Sequence, residues 1–359
     1  MVLDPYRLVR PLLHRLDPED AHELTLRALE ANVVPPQPRG DDPVLATRLF
    51  GRDVPNPVGL AAGFDKNGRV YERMGAQGFG FVEVGGVTPR AQRGNPRPRV
   101  FRLREDRAVI NRMGFPNEGA DALEARLRRK GRPHGIALGI NLASNADSAD
   151  PAGDFVALAT RFARYADFLT LDVSCPNTAN GQVFLDPGRL ADLLQRLAGA
   201  SWPASRPELA AKLSPDIDDA LLERLVAVLV AARIRGIVVS NTTRARPPAM
   251  RDRRAGEAGG LSGAPLLAPS TAMLARVREL TAGRTTLIGV GGVATGADAY
   301  AKIRAGASAL QLYTALIYGG TAVVTRIKRE LAALLRRDGF GSVAEAVGTG
   351  GTPSSHAVL

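Results

Sequence analysis

Residues 285–316 read TTLIGVGGVATGADAYAKIRAGASALQLYTAL, and the two apolar runs at either end of this stretch decide the fold. TTLIGVGGV (285–293) and ALQLYTAL (309–316) are nearly all apolar, short, and bounded by turn residues. Such runs fit strands of a parallel sheet that is covered on both faces. Working outward, six more of the kind appear: PVGLAAGF (57–64), FGFVEVGGV (79–87), GIALGINLA (135–143), ADFLTLDVS (166–174), ELAAKLS (208–214) and RGIVVSN (235–241). Helix-like segments fill most gaps between them, among them 120–130, 215–234 and 270–283. Eight βα units over about 280 residues is the repeat count of an α/β fold of the (β/α)8 TIM barrel type. A doubly wound open sheet is the alternative. It is weakened because no G-x-G-x-x-G opens the first βα turn.

Two segments depart from the alternation. Residues 89–118 hold RVFRL and AVI, which suit a short strand pair, and a loop, INRMGFP, placed to cover a barrel mouth; residues 244–265 read as a Gly-, Arg- and Pro-rich loop. Before the barrel, Leu8, Val9, Leu12, Leu13 and Leu16 fall on one helical face. Asp17 and Pro18 then form an N-cap and first position for a second helix that carries Ala21, Leu24, Ala28 and Leu29. This hairpin fits either a cap on the barrel or a membrane-facing element. The expected organisation is a two-helix N-terminal extension with its linker (1–40), a barrel (41–345) and a disordered tail (346–359).

Composition narrows the classes. A single cysteine among 359 residues excludes an intramolecular disulfide and a multi-thiolate zinc site, and no metal is expected. No apolar run is long enough to span a bilayer, and the charged opening MVLDPYRLVRPLLHRLD lacks the continuous apolar core of a signal peptide. The net charge of +11 favours anionic partners in general. Without finger spacing, an RNP-like motif or a basic repeat, nucleic acid is not expected. Nothing in the sequence calls for an obligate protein partner.

In a barrel, chemistry gathers where strands run into βα loops. Those positions here supply Lys66, Thr88, Asn141, Asp172, Cys175, Asn177, Lys212, Ser240, Asn241, Thr242, Gly291, Gly292, Tyr313 and Thr314. Two lysines, several amides and a thiol therefore converge on one end. GVGGV after the seventh strand and Tyr-Thr after the eighth occupy the usual phosphate site of the fold. Cys175 taken alone reads first as a small buried hydrophobe, with a reactive group as the alternative.

From about residue 5 to residue 347 the chain resembles the membrane-associated, quinone-linked class 2 dihydroorotate dehydrogenases. The resemblance rests on LDPEDAHE, GLAAGFDKNG, VEVGGVTPRAQRGNPRPRVFRL, INRMGF, SCPNT, SNTT, GGLSGAPL, IGVGGV and QLYTALIYGG. It implies FMN-dependent oxidation of dihydroorotate to orotate in pyrimidine biosynthesis, with quinone as electron acceptor and peripheral attachment to the cytoplasmic face of the membrane. It also implies FMN contacts at Ala62, Gly63, Lys66, Gly86, Asn141, Asp172, Lys212, Ser240, Gly263, Gly292, Tyr313 and Thr314. Substrate contacts are implied at Lys66, Asn111, Arg112, Met113, Gly114, Phe115, Asp172, Asn177, Asn241 and Thr242, with His22 and Arg102 near the quinone. Cys175 falls on the catalytic base, where class 2 members usually have serine. Asp172, Gly86 and Ser144 stand where they usually have asparagine, threonine and lysine. This cluster of departures also suits a related FMN oxidoreductase acting on a different cyclic substrate.

Overall fold

Two helices, α1 (Pro5–Leu13) and α2 (Pro18–Glu30), open the chain in a computed structural model that describes residues 5–350 except Arg39, Ala179 and Ser205. The Asp17 carboxylate accepts from the Glu19 N–H at 2.9 Å, as expected of an Asp-Pro helix start. The same pairing recurs at Asp150-Pro151 and Asp186-Pro187, where it starts two of the barrel helices. Helix α2 buries Ala21, Leu26 and Leu29, whereas Leu24 is half exposed, so its inner face is rotated slightly from the expected one.

A small hairpin of β1 (Thr47–Leu49) and β2 (Arg52–Val54) precedes β3 (Val58–Leu60) and β4 (Phe81–Val87). The first long insertion folds as β5 (Val100–Leu103) and β6 (Ala108–Asn111), followed by α3 (Gly119–Lys130). Then come β7 (Ala137–Leu142), α4 (Pro151–Phe162), β8 (Phe168–Leu171), α5 (Pro187–Ala198), β9 (Glu208–Leu213), α6 (Asp219–Ala231) and β10 (Gly236–Val239). The second insertion contributes β11 (Gly260–Gly263), and the chain continues through α7 (Leu267–Leu280), β12 (Thr286–Val290), α8 (Gly296–Arg304) and β13 (Ala309–Leu312). It ends in α9 (Thr314–Gly319), α10 (Ala322–Arg337) and α11 (Val343–Ala346).

All eight apolar runs became parallel strands of one closed barrel, in the order β3-β4-β7-β8-β9-β10-β12-β13. Its floor is filled by Phe81, Phe168, Val238 and Ile288, and the β1–β2 hairpin plugs it with Leu49, Phe50 and Val54. Gly59 and Gly139 make room for this packing. A Cβ on either would lie 2.2 Å from the Cζ of Phe81 or Phe168, respectively. The aromatic floor therefore forces the polar residues of these strands toward the opposite, C-terminal mouth.

Over that mouth lies a three-stranded antiparallel sheet, β11-β6-β5. The β5–β6 pair was expected from the sequence. The third strand came out of the segment read as a Gly-rich loop, and it pairs with β6 from Gly260↔Asn111 to Gly263↔Ala108. The extension docks on this sheet through Arg99, which grips Glu19 with two bonds of 2.8 Å. The tail also differs from expectation at its start. Ala346 is buried, and the N–H groups of Gly348 and Gly350 donate to the carbonyls of Ile303 and Arg304 at 3.0 and 2.9 Å. The remainder of that tail, 351–359, lies outside the described residues.

Candidate active site

The polar strand ends open into one cavity of about 640 Å³ that runs from the barrel mouth to the underside of the α1–α2 hairpin. Of the anticipated residues, Ala62, Gly63, Lys66, Gly86, Asn111, Met113, Gly114, Phe115, Asn141, Asp172, Cys175 and Asn177 line it. So do Lys212, Ser240, Asn241, Thr242, Gly263, Gly292, Tyr313 and Thr314, with His22 and Arg102 at the hairpin end.

Arg112 is the exception, for it does not line the cavity. Its guanidinium turns away from the cavity, donating to Glu257 Oε2 at 2.9 Å and to the carbonyls of Ala258 and Pro98, and it lies 4.6 Å over the Phe101 ring. Asn111 is the last residue of β6 and faces the cavity, so its neighbour points the other way. Arg102 touches the cavity wall, but its guanidinium donates to the carbonyls of Leu13 and Leu16. It therefore caps the end of α1. Ser144 is buried outside the cavity lining.

At the barrel mouth the amides are held in two pairs. Asn177 Nδ2 donates to Asn111 Oδ1 at 3.3 Å, and Asn241 Nδ2 donates to Asp172 Oδ1 at 3.0 Å. Burial pushes the Asp172 carboxyl up to about 6, with the Lys212 ammonium working against it and Glu83 with it. Burial, and then the neighbouring Asp172, push the Cys175 thiol up to about 12. The thiol thus has no easy ionisation in the resting site, contrary to what its unperturbed value of about 8.5 suggests. The Asn177 N–H and the Thr178 hydroxyl pull in the favourable direction by hydrogen bonding to the sulfur. Lys66 donates to Gly63 O at 2.8 Å, and its enclosure by protein pushes the amine down to about 8.

Beneath these residues lies a polar layer that sequence reasoning missed. Glu83 is fully buried in β4 and accepts from Asn141 Nδ2 at 2.8 Å and from Gln311 Nε2. The bonds fix both amides, and their other ends, Asn141 Oδ1 and Gln311 Oε1, are buried without a partner. A glutamate flanked by Val82 and Val84 in an otherwise apolar run was the available signal. At the hairpin end, His22 stands edge-on to Phe64 with ring centres 5.1 Å apart and tilts toward Tyr313 at 6.2 Å. Burial, assisted by Lys66, holds it neutral with a pKa of about 3. Among the described residues no cluster of His, Cys, Asp or Glu is placed to hold a metal.

Taken together, a closed barrel with two lysines, oriented amides and a buried thiol at its mouth has the layout of a (β/α)8 enzyme, with its polar side chains gathered at the C-terminal ends of the strands. Comparison with known proteins makes the class specific. The dihydroorotate dehydrogenase family profile matches residues 44–335. A dihydroorotate dehydrogenase (quinone) of Rhodospirillum rubrum is 51% identical over 348 residues, covering 96% of this chain and 94% of the relative. Another of that name, from Cereibacter sphaeroides, is 52% identical over 340 residues, covering 94% and 95%. A solved dihydroorotate dehydrogenase of Eimeria tenella in complex with ferulenol superposes with a TM-score of 0.89 at 36% identity, covering 93% of this chain and 95% of that one. The chain belongs to the dihydroorotate dehydrogenase family, and it is an oxidoreductase with the (β/α)8 fold.

Proposed function

We propose that the protein oxidises dihydroorotate to orotate, with FMN as its resident cofactor and a membrane quinone as electron acceptor. One observation carries the reading: a single cavity joins the Cys175 and amide cluster at the barrel mouth to the underside of the helical hairpin. A substrate and a lipophilic acceptor can thus reach opposite ends of one cofactor site.

The residues present suit FMN. Asn141 and Gln311 line a cavity large enough for a ring system and each keeps a buried oxygen without a partner, and a flavin edge offers N–H and carbonyl groups to such amides. The phosphate end falls to Gly263, Gly292, Tyr313 and Thr314. Gly291 and Gly292 hold φ of +106° and +77°, and a Cβ on Gly292 would lie 2.5 Å from Leu267, so only backbone fits there. When bound, FMN supplies the hydride acceptor.

The chain's own part is to hold the substrate and to move a proton. Asn111, Asn177, Asn241 and Thr242 bind the ring amides of dihydroorotate, and Lys66 balances its carboxylate. Cys175 removes the proton from C5 as hydride leaves C6, which creates the C5=C6 double bond of orotate. Since the thiol stands at about 12, the reactive thiolate fraction grows with pH across the accessible range. Lys212, buried beside Asp172, would present its ammonium to the bound cofactor and stabilise negative charge there.

The departures at Asp172 and Gly86 fit this assignment without a change of substrate. Asp172 Oδ1 accepts the bond from Asn241 that an asparagine oxygen would accept. A Cβ on Gly86 would come within 2.8 Å of the Phe115 ring, so that ring fills the space a threonine would use.

Peripheral attachment to the cytoplasmic face of the membrane is part of the proposal. Leu8, Leu12 and Val33 are 71%, 63% and 68% exposed, and Val9, Leu16 and Leu24 add to the same hairpin. Arg7, Arg10 and Arg15 alternate with them in sequence, a pattern suited to an anionic interface. No helix among the described residues is long and apolar enough to cross a bilayer. The test is a visible spectrum of the purified protein followed by anaerobic dihydroorotate and then quinone. Flavin bands that bleach and return establish both half-reactions; bands that persist on dihydroorotate refute the substrate.

A further inference from the structure

Lys302 in α8 is fully buried, yet no carboxylate lies within ion-pairing distance of it among the described residues. Its stem crosses β12 at Gly289, where a Cβ would lie 3.1 Å from Lys302 Cδ. Its ammonium donates to Ser270 Oγ at 2.7 Å and to Thr271 Oγ1 at 3.1 Å. Both hydroxyls belong to the N-terminal part of α7, where the helix dipole disfavours a cation. Asp298, the acid that acts on it at longer range, is committed to the start of α8, where it accepts from the N–H groups of Ala294 and Thr295 at 3.0 and 2.8 Å. A buried cation without a counterion is costly, and a helix N-terminus adds to the cost. An anion nearby would offset both.

The strand that Lys302 crosses leads to such a place. Ser270 Oγ, which accepts from Lys302, lies 3.3 Å from Gly291 O, and a Cβ on Gly291 would sit 2.8 Å from that same Oγ. Lys302 is therefore separated from the Gly291–Gly292 turn by one hydroxyl. The turn lines the cavity, and Lys302 does not.

We propose that Lys302 is a positioning residue for the cofactor phosphate, supplying from behind the Gly291–Gly292 turn, through Ser270, the positive charge that makes this site prefer a phosphorylated flavin over riboflavin. The inference rests on the FMN reading above. Burial pushes the amine down to about 7, so a dianion beside it would restore its charge. A lysine that merely tied α8 to α7 would support any flavin equally.

The experiment compares FMN and riboflavin binding by fluorescence titration of the full-length, deflavinated protein in its wild-type, Lys302→Met and Lys302→Arg forms. Lys302→Met should raise the FMN Kd tenfold or more and leave the riboflavin Kd within twofold, and Lys302→Arg should recover part of the loss. The ³¹P resonance of FMN bound to the variant should also shift. Should Lys302→Met not fold, Ser270→Ala removes the bridging hydroxyl and should narrow the FMN-to-riboflavin ratio at least threefold. Equal losses for both flavins, or none for either, overturn the proposal while leaving the FMN reading intact. A wild-type protein that binds neither flavin overturns both.

Discussion

Asp172→Asn removes one charge from the centre of the site and keeps its shape, since Asn241 Nδ2 still finds an oxygen to donate to. Burial moves the carboxyl from 3.8 to about 6, so the folded chain holds this proton more tightly than the unfolded chain. The sign follows. Ionised Asp172 disfavours the folded state above pH of about 6, and the penalty fades as pH falls toward ~4. The size of the displacement corresponds to about 3 kcal/mol. In urea unfolding of the flavin-free protein, Asp172→Asn is therefore expected to be more stable than wild type by up to about 3 kcal/mol at pH 8 and indistinguishable from it near pH 4.

The same charge opposes a bound orotate carboxylate. Two like charges about 6 Å apart at an effective dielectric of about 20 cost roughly 3 kcal/mol, a factor on the order of 100 in affinity. Orotate, titrated by its perturbation of the flavin spectrum, should bind Asp172→Asn ten- to a hundredfold more tightly at pH 8 and about equally at pH 5. Lys66, held near 8, loses charge above that pH and weakens binding in both proteins. The difference between variant and wild type is therefore the quantity to follow. Weaker orotate binding in the variant at pH 8, or a pH dependence that matches wild type, refutes the reasoning and gives the carboxylate a favourable contact with the ligand.

Cys175→Ala should keep FMN and slow its anaerobic reduction by dihydroorotate by about 10²–10⁴. In wild type that rate should climb roughly tenfold per pH unit from 7 to 9, because the thiol stands at about 12; a flat profile would mean another group takes the proton. Glu83→Gln offers a single acceptor oxygen to two amide donors, so Asn141 or Gln311 loses its bond. A buried orphan of this kind costs about 1–3 kcal/mol, read as a lower melting temperature and a higher FMN Kd, and unchanged values of both would show that Glu83 orients nothing. Leu8→Glu with Leu12→Glu on the exposed face of α1 should abolish vesicle binding and impair turnover with vesicle-borne quinone while sparing flavin reduction by substrate. Undiminished binding to vesicles would place the membrane contact elsewhere.

The barrel was legible because its strands are buried on both faces, so each announces itself as a continuous apolar run within its own few residues. β11 gave no such signal. GLSG has little apolar surface, and it is a strand because β6, about 150 residues earlier in the chain, presents it with an open edge. The Arg112 side chain is turned from the cavity for a related reason. The motif INRMGF puts it beside Asn111, but neighbours at a strand end face opposite sides, and Glu257 was waiting on the far one. The first residues of the supposed tail are ordered by backbone bonds to the end of α8, which no local composition reveals.

The candidate site shows the same division between what is local and what spans the fold. Strand-end position brought its candidates other than Thr88 to one cavity, because a barrel delivers all eight C-terminal ends to one rim, whereas Asn111 and Met113–Phe115 were expected there only from the family resemblance. What those residues do there depends on partners far away in sequence. Gln311 and Asn141 are aimed by one glutamate on β4, and Asp172 is held by Asn241 across the mouth. Cys175 illustrates the consequence. As a residue type it promises an easier base than serine, yet burial and the adjacent carboxylate move it the other way. As a base it therefore works from a small thiolate fraction, which protonation of Asp172 would enlarge by removing the neighbouring charge that adds to the effect of burial. Asparagine at that position would carry no such charge, which makes Asp172 the residue where this chain's pH behaviour should part from that of its relatives.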